Sequence, residues 1–188
     1  MINRCQNMQE CAIICQVHKI GTSCKVPQNS KNDRKVEVLS VIRILFICHG
    51  NICRSPMAEY VMKDLVKKAG REAEFEIASA ATSTEEIGNP VYPPARRKLA
   101  EHGIRCDGHA ARQLRKADYS RYDLLVGMDE ANRRNITRMC GGDPEGKISL
   151  LLDHVPRGGE VADPWYTGNF EATWRDVLEG CSALLEKL

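Results

Sequence analysis

The 188-residue sequence lacks a long hydrophobic segment. No apolar run approaches the ~20 residues that a transmembrane helix needs. The longest apolar stretch near the N-terminus, Ala12 to Cys15, is far shorter than the core of a signal peptide, which takes about 7–15 residues. We therefore expect no membrane partner and predict a cytoplasmic location.

The sequence also lacks a concentration of charge of one sign. It contains 27 Lys and Arg against 25 Asp and Glu, a formal net charge of +2. Residues 1–40 contribute +3, from six basic and three acidic residues, which leaves −1 for residues 41–188. A nucleic-acid-binding domain would present a concentrated basic surface. The balanced charge of the main body therefore excludes nucleic acid as the expected partner.

Common signatures of nucleotide and metal sites are absent as well. Neither G-x-x-x-x-G-K-[ST] nor G-x-G-x-x-G occurs, so no nucleotide cofactor is predicted. The nine cysteines are odd in number and follow no secretion signal, which argues against a disulfide framework. The first four, Cys5, Cys11, Cys15 and Cys24, contain no C-x2-C pair, so we predict no metal site among them.

Residues 1–40 show no sustained hydrophobic period. The stretch from Pro27 to Lys35 is polar throughout after the proline, as is typical of a linker. We predict that residues 1–40 form a flexible N-terminal extension and that residues 41–188 form one domain.

The pattern from Val41 onward alternates between strands and helices. Residues 41–47 are almost continuously apolar and rich in β-branched side chains, which is typical of a strand buried on both faces. Further strands are predicted at 75–79, 124–128 and 148–151, and helices at 56–70, 94–102, 130–141 and 170–188. This alternation predicts an α/β fold, a three-layer sandwich around four parallel strands.

The turn between the first strand and the first helix carries the chemistry. It reads CHGNICRSP from Cys48 to Pro56. Free N–H groups in such a loop and in the following helical turn make an anion site, and Gly50 allows the tight turn. The same field stabilises a thiolate at Cys48, and Arg54 can hold two phosphate oxygens with its planar fork. We predict a phosphoryl-transfer site with Cys48 as the nucleophile; the plainer alternative is a buried cysteine beside a solvated arginine.

The segment CHGNICRSPMAE resembles the active-site loop of low-molecular-weight protein tyrosine phosphatases. The similarity continues in the family's order through SAATS at 79–83, GNP at 88–90, HGI at 102–104, ARQ at 111–113, MDE at 128–130 and DPWY at 163–166. It covers roughly residues 42–188 and leaves residues 1–40 without a counterpart. The resemblance implies a flavodoxin-like fold, phosphotyrosine-containing protein substrates, a monomer and no cofactor.

The resemblance also implies roles for individual residues. Asp163 is expected to be the general acid and then the base, although an Asp-Pro pair by itself equally initiates a turn. Asp129 is expected to cap a helix and support the site. The phosphate-binding loop would comprise His49, Gly50, Asn51, Ile52, Cys53 and Ser55, with a supporting network completed by Ser79 and His109. Cys53 either packs or forms a protective disulfide with Cys48 on oxidation.

Three positions around the predicted cleft depart from the common family pattern. Trp165 stands before Tyr166 where many members have two tyrosines, and each residue would either wall the cleft or pack in the core. His49 replaces a small or apolar residue. Glu85 lies near a position where some members have an aromatic wall, and an acidic group there would disfavour acidic peptide flanks.

Two related enzymes remain as alternatives. An arsenate reductase would use the same loop but needs a relay of further cysteines, and Cys106 stands alone in the relevant region. A protein arginine phosphatase carries Thr where this chain has Ile52, an apolar residue that suits an aromatic ring better than a guanidinium. A phosphate-binding module without catalysis would lack the nucleophile, the arginine or the acid, and none is missing.

Overall fold

The structure is a computed structural model, and it describes residues 41–188. The predictions of a flexible extension and of no metal site among its cysteines fall on residues 1–40, outside the described part of the chain. No helix in the described part is long and apolar enough to cross a membrane.

Four parallel strands form the single sheet of residues 41–188. They are β1 (Ile42–Cys48), β2 (Phe75–Ala81), β3 (Leu124–Gly127) and β4 (Ile148–Leu150), in the order β2-β1-β3-β4. All three strand pairs are parallel. β1 is central and its residues 44–48 are buried, because both faces of a parallel sheet are covered by helices. The predicted strands and their parallel arrangement are confirmed.

In residues 41–188, six α-helices and two short 3-10 helices lie between or after the strands. The α-helices are α1 (Arg54–Lys68), α2 (Pro93–Glu101), α3 (Asp118–Arg121), α4 (Glu130–Cys140), α5 (Pro164–Thr167) and α6 (Phe170–Lys187), and the 3-10 helices span Glu72–Glu74 and Leu151–His154. The four longer helices confirm the predicted ones. The helices of four residues were not predicted, because they are too short to show a helical period.

Alternate side chains of β1 point into two separate cores, as the pleat of a strand requires. Ile44 and Phe46 pack with residues of α1, α2 and α6, and Leu45 and Ile47 pack with residues of α3 and α4. The domain therefore has three layers, and the expected three-layer α/β sandwich of flavodoxin type is confirmed.

Helix α6 has one apolar residue that follows the helical spacing of its core residues but is not buried. Leu178 is 36% exposed. Gly180 lies on the inner face instead, where a Cβ atom would come within 2.5 Å of Leu151 Cγ. The close approach of α6 to the 3-10 helix Leu151–His154 at Gly180 therefore determines which face of α6 is buried.

Candidate active site

The loop predicted to bind phosphate lies at the carboxyl end of β1, where ligands of open α/β sheets bind. It runs from Cys48 to Cys53 and leads into α1, which begins at Arg54, two residues before the predicted start. The chain after β2 fixes the start of the loop, since Thr82 N donates to Cys48 O at 2.9 Å and Ser83 N donates to His49 O at 3.0 Å.

Cys48 lies at the base of the cleft with two hydrogen-bonding groups around its sulfur. The Asn51 backbone N–H donates to Sγ at 3.3 Å, and the Ser55 hydroxyl lies 3.1 Å from it. The thiol is almost fully buried, at 3% exposure of the residue, yet it lines the cleft. Donors aimed at one sulfur stabilise its anion, the form that acts as a nucleophile.

Asn51 holds the loop in shape. Among residues 41–188 it is the one non-glycine residue with positive φ, at 58°, a conformation that asparagine tolerates better than most residues. Its Nδ2 donates to Ser55 Oγ at 2.9 Å and to Ser79 Oγ at 2.8 Å, and its Oδ1 accepts from Arg112 N at 3.1 Å. These three hydrogen bonds stabilise a backbone conformation that would otherwise be unfavourable.

The direction of these hydrogen bonds can be assigned. Because Asn51 Nδ2 donates to Ser55 Oγ, the single hydroxyl proton of Ser55 is free for another acceptor. The nearest is Cys48 Sγ at 3.1 Å, closer than Ala80 O at 3.4 Å. Ser55 therefore donates to the nucleophile, which matches the role that the family resemblance implied.

Glu59 completes the network and was not anticipated from the sequence. Its carboxylate accepts from Ser79 Oγ and from Lys63 Nζ, and the residue is only 7% exposed. A Glu-Lys pair four residues apart is typical of a solvent-exposed helix face, so the sequence offered no signal of burial. Glu59 fixes Ser79, which in turn receives a hydrogen bond from Asn51.

His109 supports the loop from its outer side. Its Nε2 lies 2.8 Å from Asn51 O, and since a carbonyl oxygen only accepts, this nitrogen carries a proton. The imidazole also meets the Tyr60 ring edge-on, with 6.3 Å between the ring centroids. The structure thus places His109 against Asn51, which itself hydrogen-bonds to Ser55 and Ser79.

Arg54 lies between two carboxylates. Its Nη1 is 2.5 Å from Asp129 Oδ2 and its Nη2 is 2.6 Å from Asp163 Oδ2, while its side chain is only 5% exposed. Burial by itself lowers the pKa of the guanidinium, but the charge of Cys48, the hydrogen bond that Arg54 donates to Asp129 and the charge of Asp163 outweigh burial and raise the pKa. Arg54 is therefore a permanent cation at the mouth of the loop.

The two carboxylates have different surroundings. Asp129 is the N-cap of α4 and accepts from Asn132 N at 2.6 Å, which confirms the predicted cap. Asp163 precedes α5, and its carboxylate accepts from Trp165 N at 3.0 Å. Among the described residues, Arg54 is the one side chain that contacts this carboxylate, while Thr167 Oγ1 donates to the backbone oxygen of Asp163. Asp163 is therefore the carboxylate with more freedom to turn toward a substrate.

The cleft is lined by both aromatic and acidic side chains. Trp165 and Tyr166 are 56% and 85% exposed, which leaves their rings available to a ligand. Glu85 Oε2 lies 3.2 Å from His49 Nε2, and Glu86, which was not predicted, also lines the cleft. The lining residues are Cys48, His49, Gly50, Ile52, Cys53, Arg54, Glu85, Glu86, Asp163, Trp165 and Tyr166.

Cys53 shares the cleft with Cys48, and both thiols are free. Burial, followed by the nearby charges of Cys48 and Asp163, raises the pKa of Cys53 to about 12. Cys53 is therefore a neutral thiol beside the nucleophile. Within residues 41–188, no group of three or more His, Cys, Asp or Glu side chains is arranged to hold a metal ion.

Comparison with known proteins identifies relatives across the whole described domain. The family model described as low molecular weight phosphotyrosine protein phosphatase matches residues 43–188. The low molecular weight protein-tyrosine-phosphatase YfkJ of Bacillus subtilis is 39% identical over 150 residues, covering 79% of this chain and 96% of that protein. The low molecular weight phosphotyrosine protein phosphatase of Gallus gallus is 40% identical, covering 77% of this chain and 94% of its own.

Solved structures show the same similarity. The crystal structure of YfkJ superposes with a TM-score of 0.76, covering 79% of this chain and 94% of that chain. A Drosophila protein named arginine phosphatase has a TM-score of 0.72 at 28% identity, covering 78% of this chain and 97% of its own. The Cys48–Arg54 loop and the parallel sheet thus occur in a chain that belongs to the low molecular weight phosphotyrosine protein phosphatase family.

Proposed function

We propose that this phosphatase hydrolyses phosphotyrosine in proteins through a phosphocysteine intermediate. The observation that carries the proposal is that Cys48, Arg54 and Asp163 line one cleft, with Arg54 Nη2 only 2.6 Å from the Asp163 carboxylate. A nucleophile, a phosphate-binding cation and a proton donor are thereby available to one phosphate monoester.

Binding uses the loop and Arg54. The phosphoryl oxygens accept from the backbone N–H groups of the loop and from the Arg54 fork, a charge-assisted arrangement that needs no metal ion. To engage the phosphate, Arg54 Nη2 exchanges the Asp163 carboxylate for a phosphoryl oxygen. Asp163 is then free to approach the ester oxygen.

The chemistry takes two steps. The Cys48 thiolate attacks phosphorus and forms an S–P bond while the P–O bond to the tyrosine breaks, and Asp163 donates its proton to the departing phenolate oxygen. Water then attacks phosphorus, Asp163 takes a proton from it, and Cys48 leaves as a thiolate. The hydroxyl of Ser55, 3.1 Å from Sγ, stabilises that leaving thiolate.

Several features favour an aryl phosphate over the alternatives. The exposed rings of Trp165 and Tyr166 suit a flat phenyl group. Ile52 presents an apolar side chain to the cleft, which favours phosphotyrosine over phosphoarginine. Of the five cysteines in the described residues, only Cys48 and Cys53 line the cleft, which offers no relay for arsenate reduction. The monomeric state and cytoplasmic location remain predictions.

The test compares hydrolysis of a phosphotyrosine, a phosphoserine and a phosphoarginine peptide under reducing conditions. Wild type, Cys48→Ser and Asp163→Ala are assayed together, with Cys181→Ser as a control cysteine outside the cleft. We expect preference for phosphotyrosine, no turnover by Cys48→Ser and a loss of ~10² or more in Asp163→Ala. Preference for phosphoarginine would contradict the interpretation of Ile52, and no turnover by wild type would overturn the proposal.

A further inference from the structure

A second depression adjoins the catalytic cleft. It is lined by three aromatic side chains, two prolines and a glycine, and by no charged residue: Tyr92, Pro94, Pro164, Trp165, Gly168 and Phe170. Trp165 lines both the depression and the cleft. We call this surface the aromatic depression.

The rings of the aromatic depression are arranged around Tyr92. The centroid of its ring lies 5.3 Å from that of Trp165 and 6.2 Å from that of Phe170. The backbone of Tyr92 is tied to the phosphate loop, since its N–H donates to Ile52 O at 2.8 Å. The depression is therefore positioned by the same loop that holds the nucleophile, and it is formed before any ligand binds.

We propose that the aromatic depression binds a large apolar side chain of the phosphopeptide substrate, about two residues from the phosphotyrosine. The inference rests on the proposed function, because the phosphotyrosine must occupy the cleft on one side of Trp165. An indole ring is roughly as wide as two residues of an extended peptide are long, at ~3.3 Å each. A peptide that places its phosphotyrosine in the cleft and runs past Trp165 therefore has a side chain about two residues away at the depression.

The lining selects the chemistry of that side chain. A charged side chain would lose its hydration here without an opposite charge or a hydrogen bond to replace it. Aromatic rings and prolines instead offer apolar contact area, as in other grooves that recognise peptides. A leucine-sized side chain is therefore favoured over a charged or a small one.

The test scans leucine through about three positions on either side of phosphotyrosine in an otherwise glycine- and serine-rich peptide. We expect one position at which leucine raises kcat/KM about tenfold over glycine, the effect of removing most of an aliphatic side chain from water. The aryl substrate p-nitrophenyl phosphate has no flanking residues, so its turnover checks the proposed function separately from the depression.

Pro94 allows a matched pair of variants. It is the second residue of α2, a position in the first helical turn where a carboxylate is well tolerated. Pro94→Glu brings a charge to the depression and should abolish the leucine preference, while Pro94→Ala should retain it. Both should hydrolyse p-nitrophenyl phosphate at the wild-type rate. Phe170→Ser, which removes one wall, should reduce the preference independently of helix α2.

Equal kcat/KM for every peptide of the scan, or a leucine preference unchanged by both Pro94→Glu and Phe170→Ser, would overturn the proposal. Binding of the same peptides to Cys48→Ser, followed by anisotropy of a labelled peptide, provides a readout that does not depend on turnover. If Cys48→Ser binds the leucine peptide more tightly than the glycine peptide, the proposed role of the depression is supported even if wild type fails to hydrolyse an aryl phosphate. Equal binding of the two peptides counts against that role.

Discussion

Arg54 and Asp163 form an ion pair at 2.6 Å across the mouth of the phosphate loop. The same guanidinium contacts Asp129 through its other terminal nitrogen. In the proposed mechanism the pair with Asp163 opens when Arg54 binds phosphate, whereas the pair with Asp129 persists. The two carboxylates therefore have separable functions, and amide substitutions distinguish them.

Replacement of Asp163 by Asn should remove the proton donor while it retains the size of the side chain. We expect kcat to fall by ~10² or more for phenyl phosphate and much less for an aryl phosphate with a good leaving group, which departs without a proton. Steady-state rates across a series of leaving groups check this. Asp107→Asn, in an exposed pair with Arg105, is the control; a uniform loss across the series would show that Asp163 is not the acid.

Replacement of Asp129 by Asn should keep the helix cap and lose the charge. Because asparagine caps helices about as well as aspartate, the thermal stability should change little, whereas Asp129→Ala should cost ~1 kcal/mol of unfolding free energy. Both variants should bind inorganic phosphate more weakly, since Arg54 is no longer held from this side. Calorimetry measures the stability, and competitive inhibition by inorganic phosphate measures the binding. Unchanged inhibition by phosphate in both variants would show that Asp129 does not orient Arg54.

Cys53 should protect the nucleophile during oxidation. Peroxide converts the Cys48 thiolate to a sulfenic acid, and attack by Cys53 then forms a disulfide with release of water. We expect wild-type activity to return on addition of a thiol reductant, and Cys53→Ser to lose activity permanently as oxidation proceeds further. Mass spectrometry of the loop peptide identifies the products. Full recovery of Cys53→Ser would argue for simple packing of this residue.

Glu85 should set a preference for the charge of the peptide. Both Glu85 and Glu86 line the cleft. We expect wild type to prefer basic over acidic flanks several-fold, less so at high salt, and Glu85→Lys to reverse the preference. Glu101→Gln on α2 is the control. The hypothesis fails if kcat/KM is the same for acidic and basic peptides.

His154 should make the stability depend on pH. Burial, together with the charge of Lys187, lowers the pKa of its imidazole. The unfolded chain therefore binds the proton more readily, and the contribution to stability is present above the unfolded pKa of about 6.5 and is lost as the pH falls below it. Melting temperatures between pH 8 and about 5 should fall more steeply in wild type than in His154→Gln. Parallel curves would contradict this.

The outline of the site could be predicted because its parts are local in sequence. Cys48 to Arg54 lie within one turn between a strand and a helix, so spacing alone brings them together. The other partners of Asn51 come instead from two distant segments, one with Ser79 and one with His109 and Arg112. The hydrophobic periodicity of a sequence does not predict contacts between distant segments. Ser79 and His109 were therefore predicted only through the family resemblance.

Burial of polar side chains was the least predictable property. Glu59 lies on a helix and is followed by Lys63, as a surface residue would be, yet it is nearly buried and holds Ser79. Leu178 shows the opposite case, an apolar residue with regular spacing that remains partly exposed. In both cases the burial of the side chain depends on which neighbouring element packs closest. The spacing of residues along one helix does not show which element that is.

The side chains that hydrogen-bond to Asn51, and so shape the phosphate loop, are those of Ser55, Ser79 and His109, none of which lines the cleft. Among the described residues that do line it, Trp165 and Tyr166 contribute no side-chain hydrogen bond to the loop, and Glu85 bonds to the exposed imidazole of His49. Recognition and bond-breaking are thus assigned to different parts of the molecule. An engineer could exchange the residues that face the ligand to redirect the enzyme to new peptides, and the machinery that cleaves the ester would remain intact.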